Sequence, residues 1–399
     1  MSLLTYNRTD VTHLKPEVCL KARPSPKAFF IILLLLTVGC ATDRPPSGGP
    51  PDNAPLRITD VQPEASLTDI QPETIRFTFN RYVPTASLRR SIVFSPRITG
   101  YEIRGDGEEA VIIFNEPFEQ NRTYSISFNT SLQSSRGNEL EKSYTYAFST
   151  GPFLDSGEIE GTVYTRENKP ARGALIYAFL REPQQTQAEQ SILERHPEYI
   201  VQTGTDGTFR FNHLKKGSYR LMAFMDKDGN RILNLNHEAH ASGTIENIPT
   251  GSRPLLFRMS SPHEEERQSA AAGKNAPQPT DPGAIIGTIR TPHHAAVIEA
   301  VNMTTGTWYR TTAVNTRHRE QSFVLKNLPA GRYLVSAYLP EKDIAADGSI
   351  PQWSPGNIWP FRPADELVIH PDPVIVRKGW TTGNIELNLQ PAAQRGKEK

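Results

Sequence analysis

Apolar residues recur at every second position through much of this chain, and that period decides the fold class before anything else. Ile75-Arg-Phe77-Thr-Phe79, Tyr124-Ser-Ile126-Ser-Phe128 and Tyr144-Thr-Tyr146-Ala-Phe148 each alternate apolar with polar. Side chains on an extended strand point to opposite faces in turn, so such runs bury one face and wet the other. A helix instead needs apolar residues three and four apart, and residues 56–151 hold no convincing stretch of that kind. The 33 prolines and 27 glycines cluster between apolar runs, where they punctuate short strands with turns. The sequence therefore predicts an all-β chain of sandwiches, long enough at 399 residues for about two to four domains.

The amino terminus reads as a processing signal rather than as fold. Lys21, Arg23 and Lys27 precede an apolar run from Ala28 to Val38, which marks residues 1–39 as a signal peptide. At about 1.5 Å per residue that run is too short to span a hydrocarbon layer of roughly 30 Å. Thr37-Val38-Gly39-Cys40 resembles the lipobox of bacterial lipoproteins, with Thr37 where Leu is usual. The resemblance implies that Cys40 carries lipid and becomes the first residue. Of the 2 cysteines, Cys19 would leave with the signal and Cys40 would be acylated, so no structural disulfide is expected. Residues 40–55 are rich in Pro and Gly and read as a disordered tether.

Three domains are expected beyond the tether. The first spans residues 56–151. Pro46-Ser-Gly-Gly-Pro50, Ile75 to Asn80, Ser95-Pro96, Asn121-Arg-Thr-Tyr124 and Phe148-Ser-Thr-Gly151 resemble the Ig-like family named after the surface-layer protein SbsA. That family stands at the front of lipoproteins from the Bacteroidetes group and its relatives, and the resemblance implies an Ig-like β-sandwich. The second domain, 157–260, opens with Ile159-Glu-Gly161-Thr-Val163. The third, 283–390, opens with Ile285-Ile-Gly287-Thr-Ile289. Phe209, Phe211, Leu214, Gly217, Tyr219, Leu221 and Ala223 recur as Phe323, Leu325, Leu328, Gly331, Tyr333, Val335 and Ala337, a constant spacing that marks an internal repeat. Both copies resemble the prealbumin-like, or carboxypeptidase regulatory-like, sandwich that decorates extracellular proteins. Residues 261–282 between them read as a disordered linker.

The chain carries 44 basic and 43 acidic side chains, so no cationic excess exists to neutralise phosphates, and nucleic acid is not an expected partner. It contains no phosphate-binding loop, nucleophile elbow or zinc-protease helix, which argues against an enzyme. No cofactor is expected beyond a structural calcium ion. Asp226, Asp228 and Asn230 set oxygen ligands at alternate positions, as a Ca²⁺ loop does, or simply cap a tight turn. His237 and His240 nearby either hold a metal or, as the favoured reading, stand at the surface of a loop. Trp353 and Trp359, in a segment rich in Pro and Gly, either offer a stacking platform for sugars or fold back over a sandwich.

These features point to a non-enzymatic, lipid-anchored cell-envelope protein, sorted to the outer membrane, that works in adhesion, scaffolding or ligand presentation. A glycan-binding lipoprotein is the alternative, and a hydrolase with an unfamiliar site the least favoured. The expected partners are the membrane, through Cys40, and an envelope glycan or protein. Replacing Cys40 with Ala should abolish incorporation of labelled fatty acid; full incorporation into that variant would remove the anchor.

Overall fold

The computed structural model describes residues 52–181, 192–261, 280–292, 295–314, 320–340 and 350–389. The signal, Cys40, nearly all of the tether and most of the linker lie outside them.

The first sandwich contains β1 (Ile58–Gln62), β2 (Thr74–Phe79), α1 (Thr85–Ser91), β3 (Ile92–Ser95), β4 (Tyr101–Asp106), β5 (Glu109–Phe114), β6 (Thr123–Phe128) and β7 (Tyr144–Ser149). One sheet runs β1-β2-β5-β4 and the other β3-β6-β7. The alternating side chains meet between them: Phe77 stands edge-on to Phe128 at 5.0 Å and to Tyr146 at 5.7 Å. The helix α1 departs from the expectation of strands alone. Pro84 at its start has φ −64°, the value a helix entry needs, and Leu88 is buried in the core. A helix of 7 residues is too short for its period to stand out among strands.

The second sandwich comprises β8 (Gly157–Tyr164), β9 (Leu175–Arg181), β10 (Tyr199–Gln202), β11 (Thr208–Leu214), β12 (Ser218–Phe224), β13 (His240–Ser242), β14 (Ile248–Pro249) and β15 (Leu255–Arg258). The third comprises β16 (Gly283–Arg290), β17 (Ala295–Asn302), β18 (Trp308–Val314), β19 (Glu320–Leu328), β20 (Gly331–Leu339), β21 (Glu366–Ile369), β22 (Val374–Val376) and β23 (Thr381–Asn388). Their topologies coincide. The order β11-β8-β15 matches β19-β16-β23, and β10-β9-β12-β13 matches β18-β17-β20-β21, with β14 and β22 pairing β12 and β20.

The internal repeat extends to details that composition does not carry. Tyr219 donates its hydroxyl to the Lys215 carbonyl at 2.7 Å, and Tyr333 does the same to the Pro329 carbonyl at 2.7 Å. Each hydroxyl satisfies a turn carbonyl while its ring fills the core. Phe209 lies opposite Gly161, and Phe323 opposite Gly287. These two glycines are packing necessities. A Cβ on Gly161 would sit 2.4 Å from the Leu255 carbonyl oxygen and 2.9 Å from the Phe209 ring. On Gly287 it would sit 2.2 Å from the Ile385 carbonyl oxygen and 2.7 Å from the Phe323 ring.

The first two sandwiches are joined by more than the chain between them. Asp155, between the first two, donates its amide to the Thr123 hydroxyl at 2.9 Å, and its carbonyl lies 3.2 Å from His213 Nδ1. Thr130 donates to the Gln202 side chain at 2.8 Å and Ser143 to the Gln202 carbonyl at 2.8 Å. The cause is visible on the five-stranded sheets. Besides their inward residues, Met222 and Phe224 on β12 and Val297 and Glu299 on β17 are buried from the opposite face. A sheet buried on both faces needs a neighbour.

Gly287→Ala forces backbone to move and should cost about 3 kcal/mol, as overpacking does. Thermal denaturation of the full chain checks this, and a change of under one degree would mean that the β16–β23 packing has slack.

Candidate functional site

Residues 350–365 form a clasp between the second and third sandwiches. Trp353 packs on Val297 and Tyr338 of the third sandwich and is only 5% exposed. The Tyr338 hydroxyl fixes the clasp's entry by donating to the Pro351 carbonyl at 2.6 Å. Asp365 fixes its exit by accepting the Ser354 amide at 2.7 Å. Between these points the clasp crosses to the second sandwich. Ser242 donates its amide to the Pro355 carbonyl at 3.1 Å and its hydroxyl to the Arg362 carbonyl at 2.7 Å. Ile358 inserts among Leu175, Tyr177, Phe179, Met222 and Phe224, where it is buried.

Both indoles are covered by guanidinium groups from the second sandwich. Arg258 lies 4.0 Å from the centre of the Trp353 ring. Arg220 lies 5.8 Å from that of Trp359 and 5.0 Å from that of Phe361, and donates to the Ile358 carbonyl. Cation and ring attract through the ring quadrupole, strongly where water is excluded. The structure thus brings the two sequence-selected tryptophans together in one clasp, with Trp353 sealed and Trp359 partly exposed.

Arg258 also belongs to a buried ion network. It pairs with Glu299, and both side chains are 1% exposed. Arg310 reaches the other carboxylate oxygen at 3.3 Å. Ser336 donates to Glu299 at 3.2 Å, Asn168 donates to Ser336 at 2.9 Å, and Arg258 returns to the Asn168 side-chain oxygen at 3.1 Å. The circuit spans both sandwiches. Burial pushes the Glu299 carboxyl up, but attraction from Arg258 and Arg310 outweighs it and holds the group below its ordinary value of 4.5. Neither arginine was distinguishable in the sequence from a solvated surface charge.

The turn after β12 places Asp226 and Asp228 as the sequence suggested, and adds Glu238. Carboxylate oxygens of these three residues lie within 4.8 Å of one another. Asn230 has a different role: its amide and side chain both donate to Asp228, at 3.0 and 2.7 Å. Asp226 accepts the amides of Gly229 and Arg231 at 3.0 and 3.2 Å. Glu238 accepts those of Lys227 and Asn234 at 2.7 and 2.9 Å. Every carboxylate oxygen of the group therefore already accepts a hydrogen bond. Burial pushes the Asp226 carboxyl up, the two amides pull it back, and the charge of Glu238 adds to the rise. Three carboxylates are the donor type that Ca²⁺ takes, and the same three brace the loop by themselves. Glu238 sits between His237 and His240, and the histidines, not the acid, drew notice in the sequence. His240 instead turns its Nδ1 toward the Glu238 carbonyl at 2.9 Å.

Residues 52–150 match the bacterial Ig-like domain family, which agrees with the resemblance read from the same segment. No curated protein matches the chain. Among solved structures it is similar to the Bacillus anthracis TIE protein, at 11% identity and TM-score 0.17, over 86% of this chain and 58% of that one. It is similar to the N-terminal part of the bacterial S-layer protein SbsC, at 12% identity and TM-score 0.19, over 44% of this chain and 42% of that one. Escherichia coli alpha-2-macroglobulin spanning domains MG0-NIE-MG1 gives 12% identity and TM-score 0.19, over 72% and 94%. The chain thus spans less than two thirds of the length of the first two. Among the described residues no helix is long and apolar enough to cross a membrane.

Because the folded Glu299 carboxyl titrates below its unfolded value, the network contributes stability above that unfolded value and loses it as pH falls through the folded one. Glu299→Gln leaves the buried Arg258 without its carboxylate and should cost about 3 kcal/mol at neutral pH. The variant should also lose some of the parent's acid-side decline in stability. Urea denaturation across the acid range checks both, and parallel pH profiles for parent and variant would contradict the assignment.

Proposed function

We propose that this chain is a non-enzymatic envelope lipoprotein, anchored through Cys40, whose Ig-like domain and two prealbumin-like sandwiches act as a stiff spacer. The spacer carries its far end clear of the membrane for scaffolding or adhesion. The observation that carries this reading is the clasp. A protein that only decorated the surface would need no interface sealed by a buried ion network, because flexible sandwiches would serve equally well. Burying ionic groups gives little net stability and is retained where it fixes one geometry. The Ig-like domain at residues 52–150 supports an envelope setting, and the apolar run ending at Cys40 supports lipid anchorage. For the alternative glycan reading, Trp353 is sealed under Arg258 while Trp359 keeps part of its surface exposed.

The test is a distance distribution. Nitroxide labels at Lys216→Cys and Lys326→Cys, on the second and third sandwiches of the mature lipidated chain, should give one narrow peak. Trp353→Ala should broaden it while both sandwiches stay folded. A broad distribution in the parent would refute the spacer.

A further inference from the structure

A cleft of roughly 550 Å³ opens between the first and second sandwiches, away from the clasp. Its floor is apolar. Phe94 and Tyr101 of the first sandwich lie with ring centres 4.4 Å apart, beside Ile98. Leu193, Ile200 and Leu233 of the second face them. A cavity of this size and lining fits the body of one small molecule, and polar groups at its mouth decide which.

The charged lining is Arg97, Arg195 and Arg231 against Glu194, an excess of positive charge. Arg97 of the first sandwich meets His196 of the second, with Nη1 3.1 Å from Nε2. A guanidinium can only donate, so the imidazole nitrogen accepts there. Arg231 stands on the other side. Its amide donates to Asp226 at 3.2 Å and its carbonyl accepts the Tyr177 hydroxyl at 2.7 Å. These bonds hold it at φ 60°, the left-handed region that an L residue occupies at a cost. Its Nη2 is buried and has no hydrogen-bond partner. Neither Arg97 nor Arg231 is ion-paired with a carboxylate among the described residues. Arg195, also at the cleft, is by contrast matched by Glu198 at 3.4 Å.

Arg231, held by a strained and braced backbone, thus lines an apolar cleft that Arg97 also lines. We infer that this cleft binds a single-chain amphiphile with a carboxylate head, its hydrocarbon on the Phe94–Leu233 floor and its head on Arg231 and Arg97. A planar carboxylate suits the fork of a guanidinium. The acidic loop of Asp226, Asp228 and Glu238 then has a role without a metal: it aims Arg231.

Isothermal titration of the full mature chain with dodecanoate below its micelle concentration tests this. One saturable site is expected. Dodecyltrimethylammonium, with the same tail and opposite charge, should bind at least tenfold more weakly, and butyrate, with the head alone, not measurably. Arg231→Gln keeps the backbone bonds and should weaken dodecanoate at least tenfold. If that variant melts well below the parent, Arg97→Gln, at an exposed position, replaces it with the same expected direction. No saturable dodecanoate binding, equal binding of the cationic amphiphile, or unaltered affinity in the folded variant would each overturn the assignment.

Discussion

A carboxylate shut away from water survives only where positive charge is shut away with it, and Glu299 takes one cation from each of two sandwiches. Arg258 arrives on β15 from the second and Arg310 on β18 from the third. Separating the sandwiches would return Glu299 and Arg258 to water, which hydrates both, whereas bringing them together misaligned would leave both buried and unpaired. The misaligned outcome costs several times what a surface ion pair is worth. The network therefore acts less as glue than as a gauge, tolerating one relative placement. Trp353 adds to this by roofing Arg258, so that the cation has a polar side and an aromatic side and no wet one.

The sequence made the strands legible and the assembly only partly so. Alternation located the core of each sandwich, because Ile75, Phe77 and Phe79 or Tyr219, Leu221 and Ala223 can face inward only one way. The repeat spacing was readable because the tyrosine and phenylalanine positions must match for the same core to form. The interface had one available signal. Ala174 to Phe179 is continuous in apolar residues rather than alternating, which means burial on both faces, and the sheet carrying it is indeed covered. Nothing local revealed which partner covers it. Arg258 and Glu299 are 41 residues apart, and each, read alone on its strand, resembles an outward charge. The helix α1 was missed because two turns are too few to establish a period.

Duplication and divergence have different physical signatures here. The shared features, Gly161 with Gly287 and Tyr219 with Tyr333, are internal to each sandwich and serve its own packing. The differences lie in the segment after the strand that carries the tyrosine. In the second sandwich it became a tight acidic turn facing the first, and in the third it became the clasp facing the second. The same connection thus serves different interfaces in the two copies.

The parallel pairing of first and last strands gives both repeats a mechanical character. β8 opens the second sandwich and β15 closes it, side by side and running the same way, as β16 and β23 do in the third. Tension applied through the chain ends pulls the start of β8 and the end of β15 in opposite directions along their common axis. The backbone hydrogen bonds between them are then loaded side by side and must fail as a group. In a hairpin pulled at its open end they would instead break singly, each in its turn. A pull on the two ends of either repeat is thus met as shear.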